Sequence, residues 1–287
     1  MAWLDANPAV GFPAVAGFGL LVGSFLNVVI LRTPPRLEWQ WKRDAREILG
    51  EPELYDPPPP GIVVEGSHCP ACKKKLSWYE NIPLVSWLIQ GGKCRGCGTG
   101  ISFQYPLVEL LTALLFLACV WRFGFGWRGF GAMLFTGFLI SLSGIDLRTR
   151  LLPDSLTLPL MWLGLIASLE HLYILPKAAL LGAIAGYLSL WSVYWLFKQL
   201  TGKEGMGFGD FKLLAAIGAW TGLAGILPTI LLSSLVGAVI GSIWLATQGR
   251  DKATPIPFGP YLAVAGWIVF MSQGALVDWY MGIAGLR

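Results

Sequence analysis

Long apolar stretches, most of them about 17 to 25 residues, alternate along this chain with short segments rich in basic residues, glycine or proline. Runs near 9–31, 105–122, 127–145, 155–173, 177–197, 210–221, 223–246 and 259–283 predict eight membrane-spanning helices, one of them short. The fold class expected from this pattern is an all-α polytopic membrane protein. Only one polar interruption, residues 33–102, is long enough to hold structure of its own. The chain therefore divides into a first transmembrane helix at 1–32, a small module at 33–102, and a seven-helix membrane domain at 103–287. In the module, Trp39, Trp41, Ile48 and Leu49 are interspersed with Lys42, Arg43 and Arg46. That pattern over Glu38–Leu49 suits either a short helix lying in the membrane interface or a helix packed on the module. Pro57–Pro60 is expected to be a stiff spacer.

Composition strengthens the membrane reading: 55% of residues are hydrophobic, 13% are charged and 14 are tryptophan, which excludes an ordinary soluble domain. Charge then orients the chain. With the amino terminus outside, 17 of the 21 Lys and Arg fall in inside segments, leaving Arg122, Arg128, Lys177 and Arg287 outside. Residues 33–102, Asp146 and Asp210 are then cytoplasmic, and both termini lie outside. The net charge of +4 fits this topology and anionic lipid headgroups, and no nucleic-acid partner is expected. The first run lacks a basic leader and a small-residue cleavage site, so it is expected to remain as a helix.

The module carries its own staple. Cys69-Pro-Ala-Cys72 and Cys94-Arg-Gly-Cys97 are paired C-x-x-C knuckles 21 residues apart, a spacing that closes a tetrahedral zinc site. In a reducing compartment such cysteines serve as metal ligands rather than disulfides. Four thiolates leave no open position, so the zinc is expected to be structural. His68 is a neighbour rather than a ligand, Cys119 a buried small hydrophobe, and His171 has no assigned role.

Two carboxylates sit where apolar runs begin or end: Asp146 after Phe130–Ile145, and Asp210 in Gly205-Met-Gly-Phe-Gly-Asp-Phe-Lys212. Ionisable groups at membrane-helix ends are costly and mark function. Two close carboxylates sharing a proton supply a base and an acid together, which is the requirement for hydrolysing an amide through water. Gly207 and Gly209 would permit tight turns and close approach of a peptide backbone. Asp154, after Pro153, competes with Asp146 as the partner but suits a helix cap or a supporting role; Lys212 is a candidate partner for a carboxylate. Small-residue stripes at Gly19/Gly23, Gly182/Gly186 and Gly237/Gly241 are expected at helix crossings. Asn27 extends the first stripe, to bond either a neighbouring helix or a substrate backbone. A proton-coupled transporter would need mid-membrane charges and paired broken helices, and a zinc adaptor would use the aspartates only as caps.

Taken in order, several segments resemble the bacterial type IV prepilin peptidases, aspartic proteases also described as leader peptidases and N-methyltransferases. They are Gly19-Leu-Leu-Val-Gly-Ser-Phe-Leu-Asn-Val-Val-Ile-Leu-Arg32, the two knuckles, Glu80-Asn-Ile-Pro83, Tyr105-Pro-Leu-Val-Glu109, Asp146 with Leu151-Leu-Pro-Asp154, and Gly207-Phe-Gly-Asp-Phe-Lys212. The resemblance implies that Asp146 and Asp210 are the catalytic pair, with Asp154 nearby. It implies cleavage after a glycine of the basic leader of type IV pilus prepilins or type II secretion pseudopilins, at the cytoplasmic face of the inner membrane. It further implies N-methylation of the new amino terminus with S-adenosylmethionine. Separately, a carboxylate such as Glu80 or Glu109 is a candidate either to bind the substrate amine or to make structural hydrogen bonds. The 38–64 insert is long for the family.

Overall fold

The computed structural model describes residues 2–52, 56–63, 65–203, 205–248 and 257–283. Its helices are α1 (Ala2–Ala6), α2 (Pro8–Leu49), α3 (Val85–Ile89), α4 (Gln104–Phe123), α5 (Trp127–Thr149), α6 (Asp154–Leu169), α7 (Pro176–Thr201), α8 (Phe208–Thr221), α9 (Leu223–Gln248), α10 (Gly259–Ser272) and α11 (Ala275–Ile283). Among the described residues five helices are long and apolar enough to cross a membrane: α2, α4, α5, α7 and α9. The other three expected spans are shorter: α6 has 16 residues, and α8 and α10 have 14 each. The architecture is the all-helical membrane bundle that the apolar runs predict, with the cysteine knuckles between its first two long helices.

Two expected boundaries move. The first apolar run and the basic segment Glu38–Leu49 form one 42-residue helix that continues through Pro34 and Pro35. Two prolines cost backbone hydrogen bonds, and a bend or break is their usual result. Here the returning loop lies along the helix instead: Arg32 Nη1 donates to the carbonyls of Gly61 (2.6 Å) and Glu65 (2.7 Å). Arg36 donates to Pro59 at 3.0 Å, and the Trp39 indole to Asp56 at 2.9 Å. Pro57–Pro60, expected as a stiff spacer, is docked on α2 through the Pro59 carbonyl. At the other end of the chain, the run 259–283 is two helices, because Gln273 (φ 48°) and Gly274 (φ 92°) adopt left-handed backbone between α10 and α11.

The chain forms two compact units, residues 1–125 and 126–287. In the first, α2 and α4 cross at the predicted glycine stripe: a Cβ on Gly19 would fall 2.6 Å from Ala113 Cα, and one on Gly23 2.6 Å from Glu109 Cα. Only glycine permits that approach, and close van der Waals contact is what holds helices together in lipid. In the second unit α8 is the central helix. Ten of its 14 residues are buried, on every side, and it packs on α6, α7, α9 and α10. Against α7 the contact is backbone to backbone, since a Cβ on Gly182 would lie 2.2 Å from the Gly218 carbonyl oxygen. A cavity of about 320 Å³ lies near the carboxyl end of α8, beside Tyr173, Trp220 and Phe270.

Candidate active site

Asp146 stands one turn before α5 ends, and Asp210 lies in the first turn of α8. Both are buried, at 4% and 8% exposure. Leu152 packs on both Gly209, next to Asp210, and Gly259, which bonds Asp146, so the two carboxylates lie about one leucine, within range of each other's charge. In so dry a setting two adjacent negative charges are strongly disfavoured, and a pair that shares one proton is the low-energy arrangement. The Asp146 Oδ2 atom accepts the Gly259 N–H at 2.9 Å, and the Gly207 backbone bonds the Asp210 carboxylate. The beginnings of α8 and α10, the positive ends of their helix dipoles, thus both meet the carboxylates.

Three glycines have different reasons for being there. Gly209 packs: a Cβ on it would fall 2.7 Å from Leu152 Cβ. Gly259 packs on the same leucine and on Asp146 Oδ2, which a Cβ would approach to 3.1 Å (from Leu152 Cδ2) and 2.7 Å respectively. Gly207 precedes the helix with ordinary extended backbone, and its nearest contact is Asp210 Oδ2, 3.7 Å from a built Cβ.

Asp154 is not a cap. Helix α6 begins at Asp154 itself, with Pro153 ahead of it and no side-chain cap bond. Its carboxylate instead holds Lys212 with both oxygens at 2.7 Å, in a pair that is 55% exposed on the aspartate side. Lys212, two residues after Asp210, therefore turns to Asp154.

In the first unit the four cysteine sulfurs lie within 4.8 Å of one another and form no disulfide. Cys69–Cys97 and Cys72–Cys94 are separated by 3.8 and 4.0 Å. A zinc ion with bonds of about 2.3 Å in a tetrahedron separates its sulfurs by about 3.8 Å, so the cluster has the size of a metal site. The knuckles repeat one design: Cys69 N–H donates to Lys74 and Cys94 N–H to Thr99, both at 2.9 Å, with left-handed backbone at Lys73 and Gly98. The Thr99 hydroxyl, 3.2 Å from Cys97 Sγ, and the Thr99 backbone bring that thiol down to about 6, so it is ready as a thiolate ligand. His68 lies by the Gly66 carbonyl at 3.4 Å, and Cys119 is fully buried.

Glu80 accepts the Ser77 N–H at 2.9 Å, closing a capping box, and Lys74 lies 3.4 Å away; these partners hold its carboxyl below the usual range. Glu109 accepts the Leu84 N–H at 2.8 Å, holding a residue whose φ is +59°. Asn27 donates to the carbonyls of Tyr105 (3.1 Å) and Gly23 (3.3 Å), bridging α2 and α4, while its Oδ1 is buried without a partner.

Comparison with known proteins meets this geometry. The profile described as Type IV leader peptidase family matches residues 133–242, which include both aspartates, and that described as Bacterial Peptidase A24 N-terminal domain matches 18–123. A Xanthomonas campestris pv. campestris protein is 69% identical over the whole of both chains. Its name is prepilin leader peptidase/N-methyltransferase. The chain belongs to the type IV leader peptidase family. Proteins of the same name from Pseudomonas aeruginosa and Neisseria gonorrhoeae are 53% and 46% identical, covering 99% and 98% of this chain and 98% of each relative. No solved structure matches the chain.

Within this leader peptidase the sequence reading missed Gly259 and Leu152, which contact Asp146 and the glycines around it. Leu152 looked like any apolar residue before a proline. The run Pro257-Phe258-Gly259-Pro260 did carry a signal, a glycine between prolines at the head of an apolar helix, but nothing in sequence joins it to a residue 113 positions earlier.

Proposed function

We propose that this chain is a membrane aspartic endopeptidase that removes the leader of type IV prepilins or pseudopilins and methylates the new amino terminus, with Asp146 and Asp210 as its catalytic residues. The observation that carries the reading is the burial of these two carboxylates, each bonded by a glycine backbone and both near Leu152, in the second unit. Within the pair, the ionised carboxylate takes a proton from water as that water attacks the scissile carbonyl. The protonated carboxyl hydrogen-bonds the carbonyl oxygen, and the proton taken from water passes to the leaving amine as the C–N bond breaks. The products are a leader carboxylate and a mature protein with a free amino terminus, and the pair returns to its shared-proton state.

Lys/Arg bias supports an inside location for this end of the bundle, where the basic leader of an inner-membrane substrate would remain. Residues 33–102 serve as the cytoplasmic module, and 103–287 as the membrane domain. Cys69, Cys72, Cys94 and Cys97 would hold one zinc whose role is to fold the module, since four thiolates complete its coordination. S-adenosylmethionine is the methyl donor implied by the relatives' name and the family resemblance. Asn27, Glu80 and Glu109, each tied to the α2–α4 unit or its module, support the second reaction through structure. Asp154 with Lys212, and Gly207 with Gly209, support the pair.

Mass spectrometry of a purified prepilin incubated with Asp146→Asn or Asp210→Asn tests the assignment. Each is expected to lower cleavage by at least about 10²- to 10⁴-fold, and the double variant to be little worse than either single one. Near-normal cleavage by Asp146→Asn, with loss in Asp154→Asn, would transfer the partnership with Asp210 to Asp154.

A further inference from the structure

Helix α10 comes from the far end of the sequence, and its first residue touches Asp146. Of the first four residues of α10, Pro260 has no N–H, and Tyr261 and Leu262 both donate to the Phe258 carbonyl, at 3.1 and 3.2 Å. The Gly259 N–H is therefore the one donor of that first turn directed at the carboxylate, 2.9 Å from Oδ2 in a buried setting. Its lack of a side chain is a condition of that bond. A Cβ would stand 2.7 Å from Oδ2 and 3.2 Å from Cγ. Relief to about 3.4 Å, the onset of ordinary contact, moves the oxygen about 0.7 Å away from the Cβ, which lengthens and misaligns the N–H···O bond.

Building on the catalytic reading of Asp146, we propose that Gly259 is a positioning residue: its N–H fixes the Asp146 carboxylate through Oδ2 and leaves Oδ1 to work with Asp210 on the water. A carboxylate with two equivalent oxygens and a freely turning χ2 presents the wrong oxygen or the wrong lone pair much of the time. Tying one oxygen to a helix terminus removes that freedom before substrate arrives, which is the preorganisation that catalytic groups need. The same N–H lies at the positive end of the α10 dipole, so it holds the carboxylate by charge as well as geometry. Leu152 completes the support, because it packs against both Gly259 and Gly209 and so ties the start of α10 to the start of α8.

Replacing Gly259 by glycolate, an ester in place of the amide, deletes the N–H and adds no atoms. The expected result is a fall in kcat for prepilin cleavage of about 10²-fold, the scale of a misplacement of about 1 Å, with KM within about twofold of the parent. Because the ester also makes the Phe258 carbonyl a weaker acceptor for Tyr261 and Leu262, the hydroxy-acid replacement of Leu262, which removes one bond to that carbonyl and keeps the Gly259 N–H, is the control, and an equal fall in kcat in both variants overturns the proposal. Gly259→Ala is expected to lose cleavage similarly, and adding Leu152→Ala to it is expected to restore little, since the contact with Asp146 persists. Recovery in that double variant would assign Gly259 to packing on Leu152 and overturn the proposal. If the ester protein does not accumulate, the alanine pair decides alone. Asp146→Asn is assayed beside them: wild-type cleavage there sinks the catalytic reading itself. An inactive Asp146→Asn with a fully active glycolate variant removes only the role given to Gly259.

Discussion

Alanine at Gly182 would place a methyl group inside the backbone of the neighbouring helix. An ideal Cβ at that position lies 2.2 Å from the Gly218 carbonyl oxygen and 2.7 Å from the Gly222 carbonyl carbon, neither of which is the end of a flexible side chain. Reaching ordinary contact at about 3.4 Å requires α7 and α8 to part by about 1.2 Å near this crossing. Gly186 one turn along makes the same kind of contact, with a Cβ 2.6 Å from the Leu214 carbonyl oxygen, so the helices cannot simply rock about it. Overpacking of this kind costs about 1–3 kcal/mol. Asp210 lies eight residues before Gly218, about 12 Å along the helix axis. Because α8 is packed on all sides, part of the displacement is passed along it, and a shift approaching 1 Å at the carboxylate costs about 10²-fold in rate. We expect Gly182→Ala to lower both the thermal unfolding midpoint in detergent and kcat for prepilin cleavage. Gly17→Ala, which meets nothing within 4 Å, is expected to change neither. Equal midpoints and equal rates for the two variants would refute the backbone contact and the transmission of strain to Asp210.

Asp154→Asn breaks an exposed pair with Lys212, so it should alter stability by less than about 1 kcal/mol and reduce prepilin cleavage far less than Asp146→Asn; an equal loss in a rate assay would contradict that ranking. Replacing Cys69 and Cys72 together by serine should abolish metal binding in elemental analysis of the purified protein and loosen residues 65–100 to protease, while full metal content would show that the cluster is not the site. Thr99→Val removes the hydroxyl that helps hold Cys97 at about 6, so its thiol should climb toward 9.0. At pH 7 more of the variant's thiol must lose a proton to bind metal, and chelator competition should show weaker binding that converges on the parent above pH 9.

Much of this protein was legible without coordinates because its solvent is a bilayer. Spanning a membrane demands long apolar runs, and the need to satisfy every backbone group there admits only helices from such runs. The cysteine spacing is a local constraint, and so the knuckles were readable too. Asp146 and Asp210 stood out because charge beside an apolar run is expensive. What sequence does not carry is which of several exposed or buried positions a carboxylate occupies. Asp154 and Asp146 are eight residues apart and similar in context, yet one reaches out to Lys212 and the other is buried against the Gly259 N–H. The continuity of α2 through Pro34 and Pro35 is also accompanied by a docked strap at 56–61, a tertiary contact that local sequence does not show. Gly259 shows the limit most plainly. Its turn signal was local, but its bond to Asp146 exists only because α10 packs beside α5, and that is decided by the folding of the whole second unit.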